Sequence, residues 1–583
     1  MKHRLLYYRC VLAALALAAC RLGHTSVQGQ TVKTWTGGDG NFYDASHWSG
    51  GLPGITDIAV IDDGSTATIA ADAGDRDLGA IRLGPTEGST ESGHVIMNGG
   101  VLRIGATPGD PKAVIGFSTT LSTFIMNGGT ILFDGPDTAD LAGSTSGHGV
   151  NELDWEVGEK GLGRFEMHND AVFHAADDLK IAENAAGEGT CLIDGNARLS
   201  VGSGISISGN GGVEQSMVVG GNALVESGNS MGAGNPQGHT DEGYLTLAFG
   251  NSLAKLTIQD NAVLNIRRLT AREGQSTMIV KDHGQFHIFD VLNGSGGSAT
   301  NRPAETGPNS TFASVAAADT NVVSTLTLQD DAQMTVNSDP ASGPTKGLAI
   351  SGQRDSGNNG GRARFIIRDR ASFKVEQDLM IGTGSSAETS DGTLEVVGPS
   401  AQISVGGNLD MAVDLDGNIA ATDADGNPKA GTAVLSEVIT AANQAAINVT
   451  GAARIAQGKL RVTLQGYTPK GGEAYALIKA GTIDGQWADT DFSAAPLPAG
   501  LTWGVEYTTD TAWLKVLGQS TVAEFIASET KVQNNKLHLA WRGSGTLVSA
   551  TAVNGPYTPV DGVSGSSADV ALDGGQRFFQ LRQ

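Results

Sequence analysis

Cysteine is almost missing from this 583-residue chain, which has only Cys10, Cys20 and Cys191. Two of the three fall within the first twenty residues, so no disulfide framework can staple the rest, and stability must come from packing. Helical periodicity is nearly absent as well. The segment SEVITAANQAA (436–446) is the one modest helical candidate after the first thirty residues. Basic residues are outnumbered, 38 Lys and Arg against 62 Asp and Glu, and they gather in no stripe. A formal charge of −24 argues against nucleic acid or an anionic membrane surface as a partner. No phosphate loop, no Gly-x-Ser-x-Gly and no reactive-cysteine setting occurs. Beyond the first thirty residues no segment resembles a transmembrane span.

Glycine, in contrast, is abundant: 82 of 583 residues, without a collagen period. It falls at corners and in loops, as a turn-rich β protein requires. Between residues 94 and 405 one short phrase recurs ten times: strand, polar corner, small residue, strand. TFIMNGGTILF (123–133), KLTIQDNAVLNI (255–266), TLTLQDDAQMTV (325–336) and RFIIRDRASFKV (364–375) are examples. The first strand carries apolar residues two apart, such as Phe124 and Met126 or Leu326 and Leu328, which point to one face. Asn, Asp, Gly and His fill the corner. Ala171, Ala197, Ala223, Ala262, Gly284, Ala332 and Ala371 supply the small residue in seven copies. Several copies add a third short strand: DLKIA (178–182), GISIS (204–208), GLAIS (347–351), DLMIG (378–382) and NLDMA (408–412).

One such unit cannot bury its apolar face alone and must stack on its neighbours. The expected fold is all-β: a right-handed parallel β-helix of about ten or more rungs, with a small antiparallel β-sandwich-like domain at the C-terminus. Hairpins in a sandwich are the competing topology, but a hairpin has no use for the third strand. Cys191 takes an inward strand position, so a buried inert thiol is expected.

Residues 1–29 read as a signal peptide: Lys2 and Arg4, then apolar VLAALALAA (11–19), then small residues. Leu17-Ala18-Ala19-Cys20 looks like a bacterial lipobox, which would make Cys20 the acylated mature N-terminus; cleavage near Gly29 is the alternative. Export to the extracellular space or the outer cell surface follows, with or without a lipid anchor. Residues 30–92 are assigned to an N-terminal cap and first rungs, 93–430 to the repeats and 431–518 to the closing segment. A linker (519–535) and a C-terminal β module (536–583) follow.

The segment TWTGGDGNFYDASHWSGGLPG (34–54), with Trp35 and Trp48, resembles the entry segment of large secreted bacterial β-helix proteins, including those with autotransporter-type repeats. The two indoles either cover the first rung or form a sugar-stacking pair. Residues 458–487 and 497–518 look like the closing segment of the same families. Neither a barrel nor a sorting signal follows, so self-transport is not expected. The last unit is similar to a small C-terminal β module of secreted Gram-negative proteins, through Trp541, Gly543, Gly545, Leu547, Gly555-Pro556-Tyr557 and Phe578-Phe579. These resemblances imply a surface protein with a structural, adhesin-like or assembly role, and a sorting, attachment or capping tail.

Candidate chemistry is sparse. Asp177-Asp178 and Gly147-His148-Gly149 are reminiscent of pectin hydrolases, but His148 precedes the acidic pair and no Arg-x-Lys follows in place. Asp178 also opens a third strand where other copies have Asp378 or Asn408, which reads as corner chemistry. Asp414, Asp416, Asp423 and Asp425 alternate before Gly417 and Gly426, a pattern that can bind Ca²⁺, although the terminal Glu of a helix–loop–helix site is missing. No other cofactor is indicated. His94, His168, His174, His283 and His287 recur at corners and strands without common metal spacing. Glycine-, serine- and asparagine-rich insertions (227–244, 293–321, 352–362) are where recognition would reside. The expected partners are extracellular polysaccharide, other surface proteins or further copies in a filament; no catalytic residue is assigned. A polysaccharide-cleaving β-helix is the competing function.

Overall fold

In the computed structural model the described residues are 31–582 apart from 106–112, 134–153, 176, 183–186, 203, 209–212, 228–242, 249–251, 267, 272–273, 291–309, 313–322, 339–346, 352–360, 383–389, 413–431, 519–522, 544, 562, 564 and 574. The leader with Cys10 and Cys20, His148 and the four aspartates 414, 416, 423 and 425 lie outside them, as do most of the three insertions. Among the described residues the chain is almost wholly β, with a single 3-10 turn, Ala45–His47. It divides into two compact units, Met1–Met278 with His283–Pro303, and Ile279–Asp282 with Ala304–Gln583.

The first unit is a parallel β-helix with three strands per coil. Sheet 1 collects the leading strands of the phrase, among them His94–Met97, Ser122–Met126, Leu162–Met167, Glu188–Ile193, Glu214–Val219 and Leu253–Ile258, all paired parallel. Sheet 2 collects the return strands, such as Val101–Ile104, Thr130–Phe133, Val172–Ala175 and Arg198–Val201. Sheet 3 collects the third strands, such as Ala113–Ile115, Trp155–Val157, Leu179–Ile181 and Gly204–Ile207. Register is kept to the residue: Val95, Phe124, Phe165, Cys191, Met217 and Leu256 lie directly opposite one another in successive coils. All are buried. At about 1.5–3 kcal/mol for each large apolar side chain removed from water, this column outweighs any single hydrogen bond in the coil.

The corners explain the small residue. The N–H of Ala171, Ala197, Ala223 and Ala262 each bonds the carbonyl three residues earlier, closing a tight turn. Its second residue is left-handed: Asn169 at φ 56°, Gly195 at 70°, Gly221 at 62°, Asp260 at 58°. Only Gly, Asn and Asp take that conformation cheaply. The four alanines are fully buried beneath the turn. Asparagine amides then link corner to corner, Asn222 to Asn196 at 3.1 Å and Asn261 to Asn222 at 3.2 Å. Across the interior, Trp155 from sheet 3 meets Phe124 and Phe165 of sheet 1 and Phe133 and Phe173 of sheet 2, with ring centroids 4.8–5.8 Å apart.

The entry is covered as one of the two readings of its tryptophans requires. Trp35 and Trp48 bridge each other and pack edge to face, Trp48 also meets Phe42 edge to face, Trp35 stacks on His47, and the two indoles are 1% and 4% exposed. Their indole N–H groups donate inward, to the carbonyls of Gly38 and Phe42. No ring face remains open for a sugar, so the stacking pair is replaced by a lid.

The second unit repeats the plan. Leu326, Phe365, Leu394, Leu435 and Leu460 form its sheet 1 column. Coils continue beyond the phrase, through Lys459–Leu464, Ala474–Lys479 and Thr482–Asp484 to Asp489–Ala494. Sheet 2 is then sealed by two antiparallel strands, Thr511–Gly518 and Leu501–Tyr507.

The expected helix over 436–446 does not form. Ser436–Ile439 belongs to the strand Thr432–Ile439, which pairs parallel with Ser390–Val397 and Lys459–Leu464. A ladder on both sides overrides weak local helix preference. Glu437 thereby occupies an inward position, directly between Val396 and Val462, and is fully buried.

The C-terminal module consists of two antiparallel sheets. Lys536–Arg542 pairs with Glu524–Phe525, Lys531–Gln533 and Ser567–Ala571; Thr546–Ala550 pairs with Thr558–Pro559 and Phe578–Arg582. Leu539, Trp541, Leu547, Ala568 and Val570 make its core. Two of its strands thus lie within 519–535, the segment read from sequence as a linker.

Candidate functional site

Catalysis on a β-helix requires acidic side chains of neighbouring coils to converge, and among the described residues of the first unit Asp154 and Asp178 do so. Asp154 and Asp178 each precede a sheet 3 strand, and the pairing of Trp155 with Leu179 sets them side by side. Lys180 Nζ donates to Asp154 Oδ2 at 2.8 Å, with both side chains largely buried. Burial pushes the Asp154 carboxyl up; Lys180 draws it down by less, and Asp178 and Asp177 add to the rise.

Asp178 is fully engaged. Its Oδ1 accepts the Gly204 N–H at 2.8 Å, and the Tyr244 hydroxyl donates to Oδ2 at 2.9 Å. The same arrangement recurs in the second unit at the other two positions picked from the sequence. Asp378 Oδ1 accepts the Asn408 N–H at 2.6 Å, and Asn408 Oδ1 accepts the Ala452 N–H at 2.9 Å. Each is a brace that satisfies a backbone donor of the next coil. Asp177 is half-buried beside this brace.

His94, His168, His174 and His287 contact carboxylates, hydroxyls and an amide. His168 lies between Asp194 (Nδ1 to Oδ1, 2.7 Å) and Glu166 (Nε2 to Oε2, 3.0 Å), and Glu166 also pairs with Arg164. Burial opposes a charge on His168, but the bonds to Glu166 and Asp194 outweigh it and raise the pKa. His94 faces Thr123 and His287 faces Gln285; burial lowers both. His174 meets Ser200. Among the described residues no group of three or more His, Cys, Asp or Glu is placed to hold a metal ion. Burial, with Glu166 nearby, pushes the Cys191 thiol up.

The outward arginines of one strand are neutralised locally. The strand Gly361–Arg368 and its corner carry four arginines, and each has an acidic neighbour: Arg362 with Asp391 (3.0 Å), Arg364 with Glu395 (2.5 Å), Arg368 with Asp369 (3.1 Å) and Arg370 with Asp331 (2.6 Å).

Three features escaped the sequence reading. Asp154-Trp155 repeats the acid-then-apolar start of the other third strands, but WEV does not read as one. Glu437 sits among apolar residues, where its Oε2 takes a 2.7 Å bond from Gln444 Nε2 and its Oε1 has no partner among the described residues. Burial raises its pKa well above the usual carboxyl range, the Gln444 bond opposing. Finally, a shallow depression of about 340 Å³ opens on the outer side of sheet 2 near the last coils, lined by Ser404, Asn448, Thr450, Lys479, Asp510 and Thr511 among others.

No family model, curated protein or solved structure matches this chain. The class is defined by the fold itself: a parallel β-helix solenoid followed by a small antiparallel β module. Among the described residues no helix is long and apolar enough to cross a membrane.

Proposed function

We propose that this chain is an exported structural β-solenoid of the bacterial cell surface, an adhesin-like scaffold rather than an enzyme. One observation carries the reading. Asp178, the carboxylate best placed for chemistry, braces the next coil as Asp378 and Asn408 do elsewhere. A carboxylate committed to a backbone N–H and a tyrosine hydroxyl is a poor general base. Paired outward charges fit a surface with no strong pull on a polyanion.

Export rests on the leader, and anchoring on Cys20. Palmitate labelling of wild type and Cys20→Ala, with protease shaving of intact cells, tests both; an intracellular, unlabelled product would sink them. For catalysis, the purified chain is incubated with a polysaccharide panel and reducing ends are measured. No release is expected. Turnover that disappears in Asp178→Asn would establish the second reading, polysaccharide cleavage, which the raised Asp154 carboxyl beside Lys180 favours. Self-assembly into filaments is a third role, tested by small-angle scattering against concentration.

A further inference from the structure

We infer that the depression on the outer side of sheet 2 is a saccharide-binding site, which takes a sugar unit of an extended polymer against Lys479, Asn448 and Asp510. This rests on the surface-scaffold reading and names what the scaffold holds.

Register builds the row. Ser404 lies opposite Asn448, Asn448 opposite Lys479, and Lys479 opposite Thr511 on the antiparallel closing strand. Their strand neighbours Ile403, Val405, Ile447, Val449 and Ile478 are buried, so the row faces outward, in steps of about 4.8 Å. Outward polar groups on the other sheet 2 strands pair with one another: Lys374 with Glu376 in this unit, and Asn265 with Glu226 and His174 with Ser200 in the first. Here they do not. The Lys479 ammonium and the Ser404 and Thr450 hydroxyls have no side-chain partner among the described residues. Asn448 spends its amide hydrogens on the carbonyls of Ile403 and Ala446, which leaves its oxygen to accept. Hydroxyls of Thr508 and Thr511 both donate to Asp510 Oδ1 and hold that carboxyl below its usual range, so it is ionised with Oδ2 open.

The result is a concave set of one cation, one anion, an amide oxygen and free hydroxyls, which suits a ligand with several vicinal hydroxyls. A volume of about 340 Å³ is low in the range for small-ligand clefts, and the site is open along the sheet. That suits an internal unit of a chain better than an enclosed metabolite. Alternation along Thr511–Gly518 buries Ala512, Leu514 and Val516, so the closing strand turns its apolar side inward beneath the polar rim.

The test is affinity electrophoresis of the full chain in gels cast with neutral polymers (a β-glucan, a xylan) or uronate polymers (polygalacturonate, alginate). Retardation is expected in at least one gel, and Ser404→Ala/Lys479→Ala should weaken it by about tenfold or more. Lys479→Ala alone separates the sources: loss confined to uronate gels identifies a carboxylate on the ammonium, and equal loss in a neutral gel identifies hydroxyl recognition. Both positions are exposed, and an unchanged circular dichroism melt confirms folding. Retardation by no polymer, or retardation unchanged in the double variant, overturns the site. Reducing-end release in the same samples would overturn the scaffold reading instead, so the two failures are distinguishable.

Discussion

Replacing Glu437 by leucine should strengthen the fold, and by an amount that grows with pH. Glu437 stands between Val396 and Val462 inside the second unit, with Oε1 unpartnered among the described residues. A buried polar group without its hydrogen bond costs about 1–3 kcal/mol in proteins, and leucine removes that cost at a position flanked by aliphatic residues. The charged groups on the adjoining strands, Asp391 and Glu395 on one side and Lys459 and Arg461 on the other, alternate onto the outer face; burial alone raises this carboxyl. The folded chain therefore keeps a proton that the unfolded chain releases above about pH 4.5. Fewer protons bound when unfolded means that stability falls as pH rises, by about 1.4 kcal/mol per unit, until the folded carboxyl ionises too. Urea titrations followed by tryptophan fluorescence between about pH 4.5 and 7.5 measure this directly. The gap between wild type and Glu437→Leu should widen with pH, while Glu437→Gln, which can still meet Gln444, should show no such trend relative to leucine. A gap that stays constant across the range would refute a buried, protonated Glu437.

At the corner, Asp369 has φ 58°; Asp369→Val should lose about 1–2 kcal/mol in chemical denaturation, and Asp369→Gly should lose less. Equal losses would show that the left-handed turn is not what selects the residue. Asp178→Ala removes the acceptor of Gly204 N–H and Tyr244 OH and should cost about 1.5–3 kcal/mol, with Tyr244→Phe costing less; a neutral Asp178→Ala would contradict the brace. Cys191 is 2% exposed with its thiol held protonated, so Ellman's reagent should label it only after denaturant is added to the leader-free chain, and rapid labelling of the native chain would disprove burial.

Alternation and corners were legible because they are local. Phe124 and Met126 point one way whatever lies in the next coil, and Asn169 or Asp260 announces a left-handed residue on its own. Partner identity was not legible, because it depends on residues one or two coils away: Asp178 needs Gly204 and Tyr244, and Asp154 needs Lys180. Glu437 misled in the opposite sense. A carboxyl inside an apolar column breaks the alternation that marks a strand, so 436–446 read as helical until the flanking strands were known. The depression at Lys479 depends on an antiparallel return from Thr511, which no repeat foreshadows.

Braced partners in adjacent coils are separated by 26 residues at Asp154 and Lys180, by 39 at Gly221 and Asp260, and by 48 at Asp282 and Asp330. The contour length between rungs can nearly double while the rungs themselves stay unchanged. Closing a longer loop costs only about 0.6 kcal/mol per doubling. A gene encoding such a chain can therefore gain or exchange peptide at these sites in single steps. The same tolerance makes them natural points for grafting foreign epitopes.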